Sequence, residues 1–508
     1  MKKNVLAIAV ATTVASVAYA QQTPGVFVNP EHTGEVLLYP YYSADAGNDT
    51  YIHVVNTTAL SKAVKVRILE AENSQEVRDF NLYLSPKDHF SFAITKDAGG
   101  GAKLVTADNS CTVPRIKQDD EPTGEIAFTN LAYDGDVNSS IERTLNGHVE
   151  MIEMGQWDPT VGYGADMVHG TDGIPADCDA LVESWTQGGD WYADASDHFV
   201  GDTDALSYWA GGGLYGMGTV INVMEGTSFG YDAVALENFQ NDFNWDYAGG
   251  ELHFPPGDTA PSLAGWNYTN EESTVFAAGE ALPLDLLDTI DAVSSVLMTE
   301  NVMNDYVIDP GLKASTDWVV TFPTKRFYVN PPGVTLADLP FHFRWDGDTA
   351  CDPFSVTIYD REEKFKTALP NEPQFSPYVP ELGVDPLICY ETNVISVVAD
   401  KDAPVGVLYQ DGSDATESTT RIWYALESDY ESGWGDLSWN WSDLLGDYAE
   451  GSHYLGHADG YLVGLPTIGF AAIEYKNGTL SGGTVANYAG AYVHKTTIVN
   501  SSLITRGR

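Results

Sequence analysis

Two short acidic segments carry oxygen-bearing side chains at alternate positions. Their members are Asp134, Asp136 and Asn138 in the first segment and Asp346, Asp348 and Asp352 in the second. Alternating oxygen ligands on a turn are what a bound Ca²⁺ requires. Neither segment has the pattern of an EF-hand loop, and Asp-Gly pairs also form ordinary hairpin turns. The spacing therefore predicts either calcium sites or plain turns at both places.

Three tryptophans in the C-terminal part of the chain lie among acidic residues. They are Trp434, Trp439 and Trp441. Aromatic rings flanked by carboxylates can grip sugar rings, and two carboxylates about 5 to 10 Å apart could hydrolyse a glycosidic bond. We favour a packed acidic loop over ligand binding, and more strongly over catalysis, because spacing in sequence does not measure a separation in space. The segment predicts carbohydrate binding more readily than catalysis.

Two further motifs have a chemical interpretation that we do not favour. Residues 226–230 match the G-x-S-x-G pattern of a nucleophile elbow around Ser228, but a Gly-rich turn is the simpler interpretation. His453 and His457 would share one face of a helix, as metal ligands do. The glycines around them disfavour a helix, so we expect surface or interface histidines. No motif identifies a catalytic centre.

Four cysteines predict a disulfide framework. Three pairings are possible, and the sequence gaps favour Cys111 with Cys178 and Cys351 with Cys389. A metal site is the competing interpretation, but there is no C-x-x-C spacing and no adjacent histidine. Each bridge would stabilise the fold by about 4 kcal/mol in the loop-entropy model.

The composition excludes several classes of function. The 508 residues include 25 Lys and Arg against 73 Asp and Glu, which gives a formal net charge of −48. Such a polyanion is repelled by phosphate backbones and by anionic lipid headgroups. Because 43% of the residues are hydrophobic and 12% aromatic, the chain can bury a large core. We expect a globular acidic protein that binds no nucleic acid.

The first twenty residues have the pattern of a secretory signal peptide. Lys2 and Lys3 precede an apolar run over residues 5–17, and Ala18-Tyr19-Ala20 follows it. Cleavage after Ala20 would leave a mature chain with a net charge of −50, two lysines fewer than the full chain. No later stretch has the roughly 20 apolar residues of a membrane helix, so no membrane span is expected in the mature chain. The sequence predicts export to the cell surface or the exterior, with the periplasm as an alternative.

Apolar residues alternate with polar ones through the first part of the mature chain. The alternation covers residues 35–42, 51–56, 64–68, 80–84 and 90–94, with turn-forming residues between the runs. This rhythm is typical of an antiparallel sandwich. We therefore expect a mainly β fold, made of immunoglobulin-like antiparallel β-sandwich domains with long ordered loops and one amphipathic helix.

The helix is predicted over residues 286–304, where Leu286, Ile290, Val293 and Leu297 form one apolar stripe. Asp285 is its expected N-cap. These elements divide the chain into a signal peptide and three domains. The predicted units are residues 1–20, an N-terminal β-sandwich domain at 21–112, a loop-rich β domain at 113–310 and a C-terminal β domain at 311–508.

Five stretches carry a resemblance to known proteins. They are GEVLLYPYY at 34–42, VNTT at 55–58, KAVKVRILE at 62–70, DFNLYLSP at 79–86 and TDWVVTFPTK at 316–325. The chain resembles, through these stretches, a family of exported proteins of Gram-negative bacteria that are labelled only as cell-surface proteins. The resemblance implies location and architecture, and it assigns no catalytic residue.

These observations predict a secreted cell-surface protein with a structural or adhesive role and without enzymatic activity, stabilised by calcium. Its partners would be cell-surface components or further copies of itself. The alternative is a carbohydrate-binding or carbohydrate-active extracellular protein that uses the Trp- and Asp-rich loops, with a polysaccharide as its partner.

Overall fold

The computed structural model describes residues 25–133, 135–192, 211–240, 253–265, 269–277, 279–330, 339–368, 387–398, 406–408, 421–425, 430–439, 453–479 and 485–500. Strands account for 50% of the structure and helices for 9%, which confirms a mainly β fold. Within these ranges, four short helices connect the strands: α1 Gly162–Asp166, α2 Cys178–Ser184, α3 Thr289–Leu297 and α4 Lys325–Val329. Two 3-10 turns lie at Leu131–Tyr133 and Ile141–Leu145.

The first part of the structure is a sandwich of two antiparallel sheets. Its strands are β1 Phe27–Val28, β2 Val36–Ser43, β3 Asn48–Asn56, β4 Ser61–Glu70, β5 Glu76–Leu84, β6 His89–Lys96, β7 Ala102–Thr106, β8 Cys111–Val113, β9 Gly124–Ala127, β10 Asn146–Trp157, β11 Leu214–Asn222, β12 Thr227–Asp232 and β13 Val234–Glu237. Sheet 1 has the order β1-β13-β2-β10-β4-β5-β8, and sheet 2 has the order β12-β11-β3-β6-β7-β9. The alternating residues Val64, Val66 and Ile68 of β4 face the apolar core between the two sheets.

The second part forms another pair of facing sheets and several short ladders. Its strands are β14 Glu272–Ala277, β15 Glu280–Asp285, β16 Met298–Thr299, β17 Asn301–Val307, β18 Ala314–Thr321, β19 Asp352–Pro353, β20 Ser355–Asp360, β21 Phe365–Ala368, β22 Leu387–Ile388, β23 Thr392–Val398, β24 Arg421–Ala425, β25 Ser432–Ser438, β26 Tyr454–His457, β27 Gly460–Val463, β28 Leu465–Pro466, β29 Ile468–Thr479, β30 Val485–Val493, β31 Lys495–Thr497 and β32 Val499–Asn500. Sheet 3 has the order β24-β23-β18-β29-β30, and sheet 4 has the order β21-β20-β25-β17-β31. Residues of both sheets share a second apolar core. The pairing of β23 with β24 is parallel, unlike the antiparallel pairing of the other strands described in these four sheets.

The predicted domain boundaries fall inside these sheets. Sheets 1 and 2 combine strands from both sides of residue 112, because β2 pairs with β10 and with β13. Sheet 4 places β17, which precedes residue 310, beside β25. Pairings between strands that are distant in sequence therefore decide which strands belong together.

The predicted helix over residues 286–304 is too long. Helix α3 begins at Thr289 and ends at Leu297, and its N-cap is Asp288, whose carboxylate accepts a hydrogen bond from the Asp291 amide at 3.1 Å. Strands β16 and β17 follow it directly. In β17, Val302 and Tyr306 point into the core, so a period of two residues replaces the helical period after Leu297.

The two sandwiches meet across the face of sheet 1 that points away from sheet 2. Hydrogen bonds that cross this contact include those from Thr321 Oγ1 to the carbonyl oxygen of Pro40 at 2.6 Å, from the Thr392 amide to that of Ala71 at 2.9 Å, and from Arg326 Nη1 to that of Ser74 at 2.5 Å. Both faces of sheet 1 are therefore covered. Its strands β2, β4 and β10 consist entirely of buried residues.

Covering sheet 1 on both sides buries ionised side chains, which the structure pairs. Five of the Lys and Arg residues that the structure describes are buried: Lys62, Lys65, Arg67, Arg143 and Lys325. Arg67 Nη1 donates to Glu150 at 2.9 Å, and Lys62 Nζ donates to Glu153 at 2.5 Å. Burial lowers the pKa of His148 to about 3 and raises that of Glu391 to about 8, so neutral forms are favoured there.

The predicted disulfides are present. Cys111 is bonded to Cys178, and Cys351 is bonded to Cys389. The first bridge ties helix α2 to the edge of sheet 1, next to a buried aromatic cluster. The cluster contains Tyr83, Trp157, Trp185, Trp191 and His253. Residues 158–192, predicted as part of a long ordered loop, pack through these rings.

We expect Lys62→Met to lower the free energy of unfolding by about 3 to 5 kcal/mol, because Glu153 would keep a buried charge without its cation. Urea denaturation measures this loss. Lys103→Met is the matched control: Lys103 pairs with Glu125, whose side chain is 64% exposed, and such pairs contribute about 0 to 1 kcal/mol. Adding Glu153→Gln to Lys62→Met should recover part of the loss. Equal losses for the two single variants would contradict the prediction.

Burial lowers the pKa of His253 to about 3, with a smaller contribution from Lys65. A folded ring that resists protonation makes the protein less stable as the pH falls below about 6.5, where the unfolded histidine binds a proton. From pH 7 to pH 5 this residue should cost about 2 kcal/mol. Between pH 7 and pH 5, we therefore expect the free energy of unfolding to fall less in His253→Phe than in the unmodified protein, by about 2 kcal/mol. Equal pH dependence in urea titrations would contradict this assignment.

Candidate functional site

The outer face of sheet 4 carries a row of aromatic residues across three neighbouring strands. Phe365 of β21 is opposite Tyr359 of β20, which is opposite Trp434 of β25, and Asp305 of β17 ends the row. The rings of Tyr359 and Trp434 are stacked, with centroids 4.4 Å apart and planes 9° apart. The Phe365 ring is 6.0 Å from Tyr359. Trp434 is 39% exposed and Phe365 66% exposed, so the row faces solvent.

The core beneath the row holds it in place. Gly435 faces inward, where a Cβ atom would lie 2.9 Å from the Trp318 indole, so only glycine lets this ring approach the strand. Trp318 Nε1 then donates to the carbonyl oxygen of Asp305 at 3.1 Å. The buried indole thus supports the strands on which Trp434 and Asp305 lie.

Two rows of mostly polar residues lie parallel to the aromatic row. Because i and i+2 share a face of a strand, Thr357, Asp436, Met303 and Lys495 form the second row, and Ser355, Ser438, Asn301 and Thr497 form the third. These rows offer hydroxyl, amide, carboxylate and ammonium groups on the same face. We call the three rows together the aromatic face.

The carboxylates of the aromatic face differ in environment. Partial burial raises the pKa of Asp436, while a hydrogen bond of 3.0 Å from Asn301 Nδ2 opposes this shift. Near the aromatic row, Glu431 lies 3.8 Å from the Arg361 guanidinium, which also donates to Glu362 at 3.0 Å. The face therefore combines acidic and basic groups instead of forming a positive patch.

Of the two predicted tryptophans that the structure describes, one lies on the aromatic face. Trp434 is exposed there, whereas Trp439 is completely buried, with its ring 5.4 Å from Phe322. The prediction that Trp439 binds a ligand is therefore wrong, because the alternation that exposes Trp434 directs residue 439 to the core. Trp441 lies outside the described residues.

The two acidic segments predicted as calcium sites lie against each other. The Val137 amide donates to the carbonyl oxygen of Gly347 at 2.7 Å, and Trp345 Nε1 donates to Asp136 at 3.0 Å. The other oxygen of Asp136 accepts from Arg143 Nη1 at 2.8 Å, and Asn138 Nδ2 donates to Glu72 at 2.6 Å. Asp134 lies outside the described residues. Sequence reasoning did not predict that the two segments meet.

Two of the three remaining predicted ligands, Asp346 and Asp352, also have partners within the protein. Asp346 accepts hydrogen bonds from the amides of Asp348 and Thr349, as in an ordinary turn. Asp352 is buried, accepts from the His342 amide at 3.1 Å and lies 3.5 Å from Lys325 Nζ. Among the residues that the structure describes, no group of three or more His, Cys, Asp or Glu side chains could hold a metal ion.

The serine and histidine motifs lie on strands. Ser228 is an exposed residue of β12 and pairs with Ile221 of β11, so residues 226–230 belong to a β-hairpin instead of a strand-turn-helix elbow. His453 precedes β26, which ends at His457, and four residues along a strand span about 13 Å. His453 Nδ1 donates to the carbonyl oxygen of Pro340 at 2.7 Å, and its ring stacks on His342. These two histidines are too far apart to share a metal ion.

Sequence reasoning missed Tyr359 and Phe365. A usable signal was present, because Val356 and Ile358 alternate with Thr357 and Tyr359, which predicts a strand with one polar face. Pairing that strand with the one that contains Trp434 requires knowledge of contacts across about 75 positions of the chain.

No protein-family model, curated protein or solved structure matches this chain significantly. Within the described ranges, no helix has the length and apolar character needed to cross a membrane.

We expect Asp136→Ala to lower the free energy of unfolding by about 1.5 to 3 kcal/mol, because hydrogen bonds from Arg143 and Trp345 would be lost. The loss should be the same in Ca²⁺ and in EDTA. Asp348→Ala, which alters an exposed side chain of the neighbouring segment, is the control. If EDTA destabilises the unmodified protein and Asp348→Ala removes that effect, the segment binds calcium.

Proposed function

We propose that this protein is an exported, non-enzymatic cell-surface protein that adheres to polysaccharide through the aromatic face. The observation that carries the proposal is the exposed row of Phe365, Tyr359 and Trp434. Three adjacent strands span about 10 Å, which is enough for consecutive sugar rings to lie on neighbouring aromatic rings. The apolar C–H face of a pyranose ring packs on an aromatic ring and leaves the sugar hydroxyls free at the edge.

The neighbouring polar rows supply partners for those hydroxyls. Asp436 and Asn301 are joined to each other by one hydrogen bond and keep further donor and acceptor capacity. Thr357 and Ser438 add hydroxyl groups on the same side of the sheet. An open sheet face suits a long polymer that lies across the strands, and adhesion without cleavage is consistent with this flat arrangement.

Charge favours an uncharged polysaccharide. Asp305, Asp436 and Glu431 lie on or beside the aromatic face, against Lys495 and Arg361, and the whole chain has a net charge of −48. Acidic polymers such as polyuronates would be repelled at low ionic strength. We therefore propose neutral or amine-bearing sugars as the ligand class.

Export and calcium-dependent surface attachment are parts of this proposal. The signal-peptide pattern at residues 1–20 and the resemblance to cell-surface proteins support export, and two disulfides are compatible with an oxidising compartment. Dense carboxylates at the surface favour binding of divalent cations to neighbouring molecules. Fractionation of the producing cells with and without EDTA, with the N-terminus checked for Gln21, tests both parts.

We expect Trp434→Ala to weaken binding to a neutral polysaccharide at least tenfold, because the central ring of the row is removed. Co-sedimentation with insoluble β-glucan or chitin, and affinity electrophoresis with soluble glucans, measure this change. Tyr488→Ala is the matched control, because Tyr488 is 62% exposed on β30, outside the aromatic face. Unchanged binding by the double variant Trp434→Ala/Phe365→Ala, or tighter binding to polygalacturonate than to neutral polymers, would refute the proposal.

A further inference from the structure

An apolar cavity of about 650 Å³ lies where hairpin β14–β15 and the end of helix α3 meet the two sandwiches. Its walls include Val28 of sheet 1, Val275 of β14, Leu297 of α3 and Val302 of sheet 4. Protein interiors contain few voids larger than one water molecule. A cavity of this volume lies within the range of about 300 to 1,000 Å³ of small-molecule sites, so it calls for an occupant.

The buried polar side chains of the wall are already hydrogen-bonded within the protein. Thr467 Oγ1 donates to the carbonyl oxygen of Leu465 at 2.9 Å. His494 Nε2 lies 2.8 Å from the carbonyl oxygen of Val319, which can only accept, so this nitrogen carries the hydrogen. Nδ1 of His494 then accepts from Asn304 Nδ2 at 3.2 Å, and the ring is neutral. Of the lining residues that the structure describes, none has a buried side-chain nitrogen or oxygen without a partner.

The lack of free hydrogen-bonding groups among the buried polar atoms of the wall determines which molecules can bind in the cavity. Water inside the cavity would find few hydrogen-bond partners, so its replacement by an apolar molecule is favourable. A ligand with several polar groups would leave them unpaired, which costs free energy. The wall therefore suits a hydrocarbon-like molecule.

The rim excludes anionic ligands. Among the described lining residues, Glu280 is the one Asp, Glu, Lys or Arg side chain, and it is exposed. The exposed residues Val493 and Thr496 also lie at the opening. A carboxylate or sulfonate headgroup at this rim would face Glu280 in a strongly acidic protein, without a basic partner in the lining.

We propose that this cavity is a binding site for one uncharged apolar small molecule, of the class of neutral lipids or isoprenoids. The site is separate from the aromatic face, because the opposite surface of β17 and β31 forms its wall. In β31, Thr496 points toward the cavity opposite Val302, while Thr497 points to the aromatic face opposite Asn301.

The test uses the full chain and the neutral fluorescent probe N-phenyl-1-naphthylamine, with the anionic 8-anilinonaphthalene-1-sulfonate for comparison. We expect one neutral probe per chain and at least tenfold weaker binding of the anionic probe. Thr496→Trp should weaken binding of the neutral probe at least tenfold by filling the opening. Thr497→Trp, one residue further on the same strand, should leave it unchanged.

The proposal is overturned if the neutral probe does not bind, if both variants bind it equally, or if the anionic probe binds as tightly as the neutral one. Since Thr496→Trp leaves the aromatic face intact, its polysaccharide binding should remain. If Thr496→Trp loses probe binding and keeps polysaccharide binding, the test of the cavity is independent of the test of the proposed function.

Discussion

The packing of this protein depends on the neutralisation of charges on the outer face of sheet 1. In β4 and β10, the residues that alternate with the apolar core positions include Arg67 and Glu150, which lie directly opposite each other. Such residues normally face water, yet here the C-terminal sheets cover them. Covering them is tolerable only because each charge has a partner at hydrogen-bond distance, since an unpaired buried charge costs several kcal/mol. Ion pairing thus allows the second sandwich to pack on the outer face of sheet 1.

The burial of Lys and Arg residues affects the charge balance of the molecule. The chain has few basic residues, and at least five of those described are inside, where they pair with buried acids. Among the described residues, twelve Asp and Glu side chains are buried against five Lys and Arg, and burial raises the pKa of Glu391 to about 8, which favours its neutral form. The whole chain has 25 basic against 73 acidic residues and a net charge of −48, so it repels other polyanions. The adhesion proposed above would favour uncharged ligands under this condition, and both the aromatic face and the apolar cavity present that chemistry.

Local patterns in the sequence predicted strands well and their assembly poorly. The period of two residues in Val64, Val66 and Ile68 identifies β4, because one face of that strand is apolar. The same rule does not show that β4 is covered on its polar face as well. The predicted helix extends beyond Leu297 because Met298 and Val302 continue an apolar run. These two residues belong to strands because Met298 pairs with β28 and Val302 pairs with β25 and β31. The disulfide pairing was predictable because each cysteine is bonded to the next one along the sequence. The row of Phe365, Tyr359 and Trp434 was not predictable in this way, because it depends on the order of strands in sheet 4.

The candidate site and the core are physically continuous. Trp318 lies in the second core, packs under Gly435 and binds the backbone of Asp305, so the position of the aromatic row is set from inside the protein. A site on paired strands is held more rigidly than one on a loop, and rigid aromatic rings lose little conformational entropy when a ligand binds. The stacking of Trp434 on Tyr359 orients both rings through the protein's own packing. Such a preorganised but flat surface suits the proposed retention of a polymer, because it offers orientation without the enclosure that catalysis of glycosidic cleavage needs.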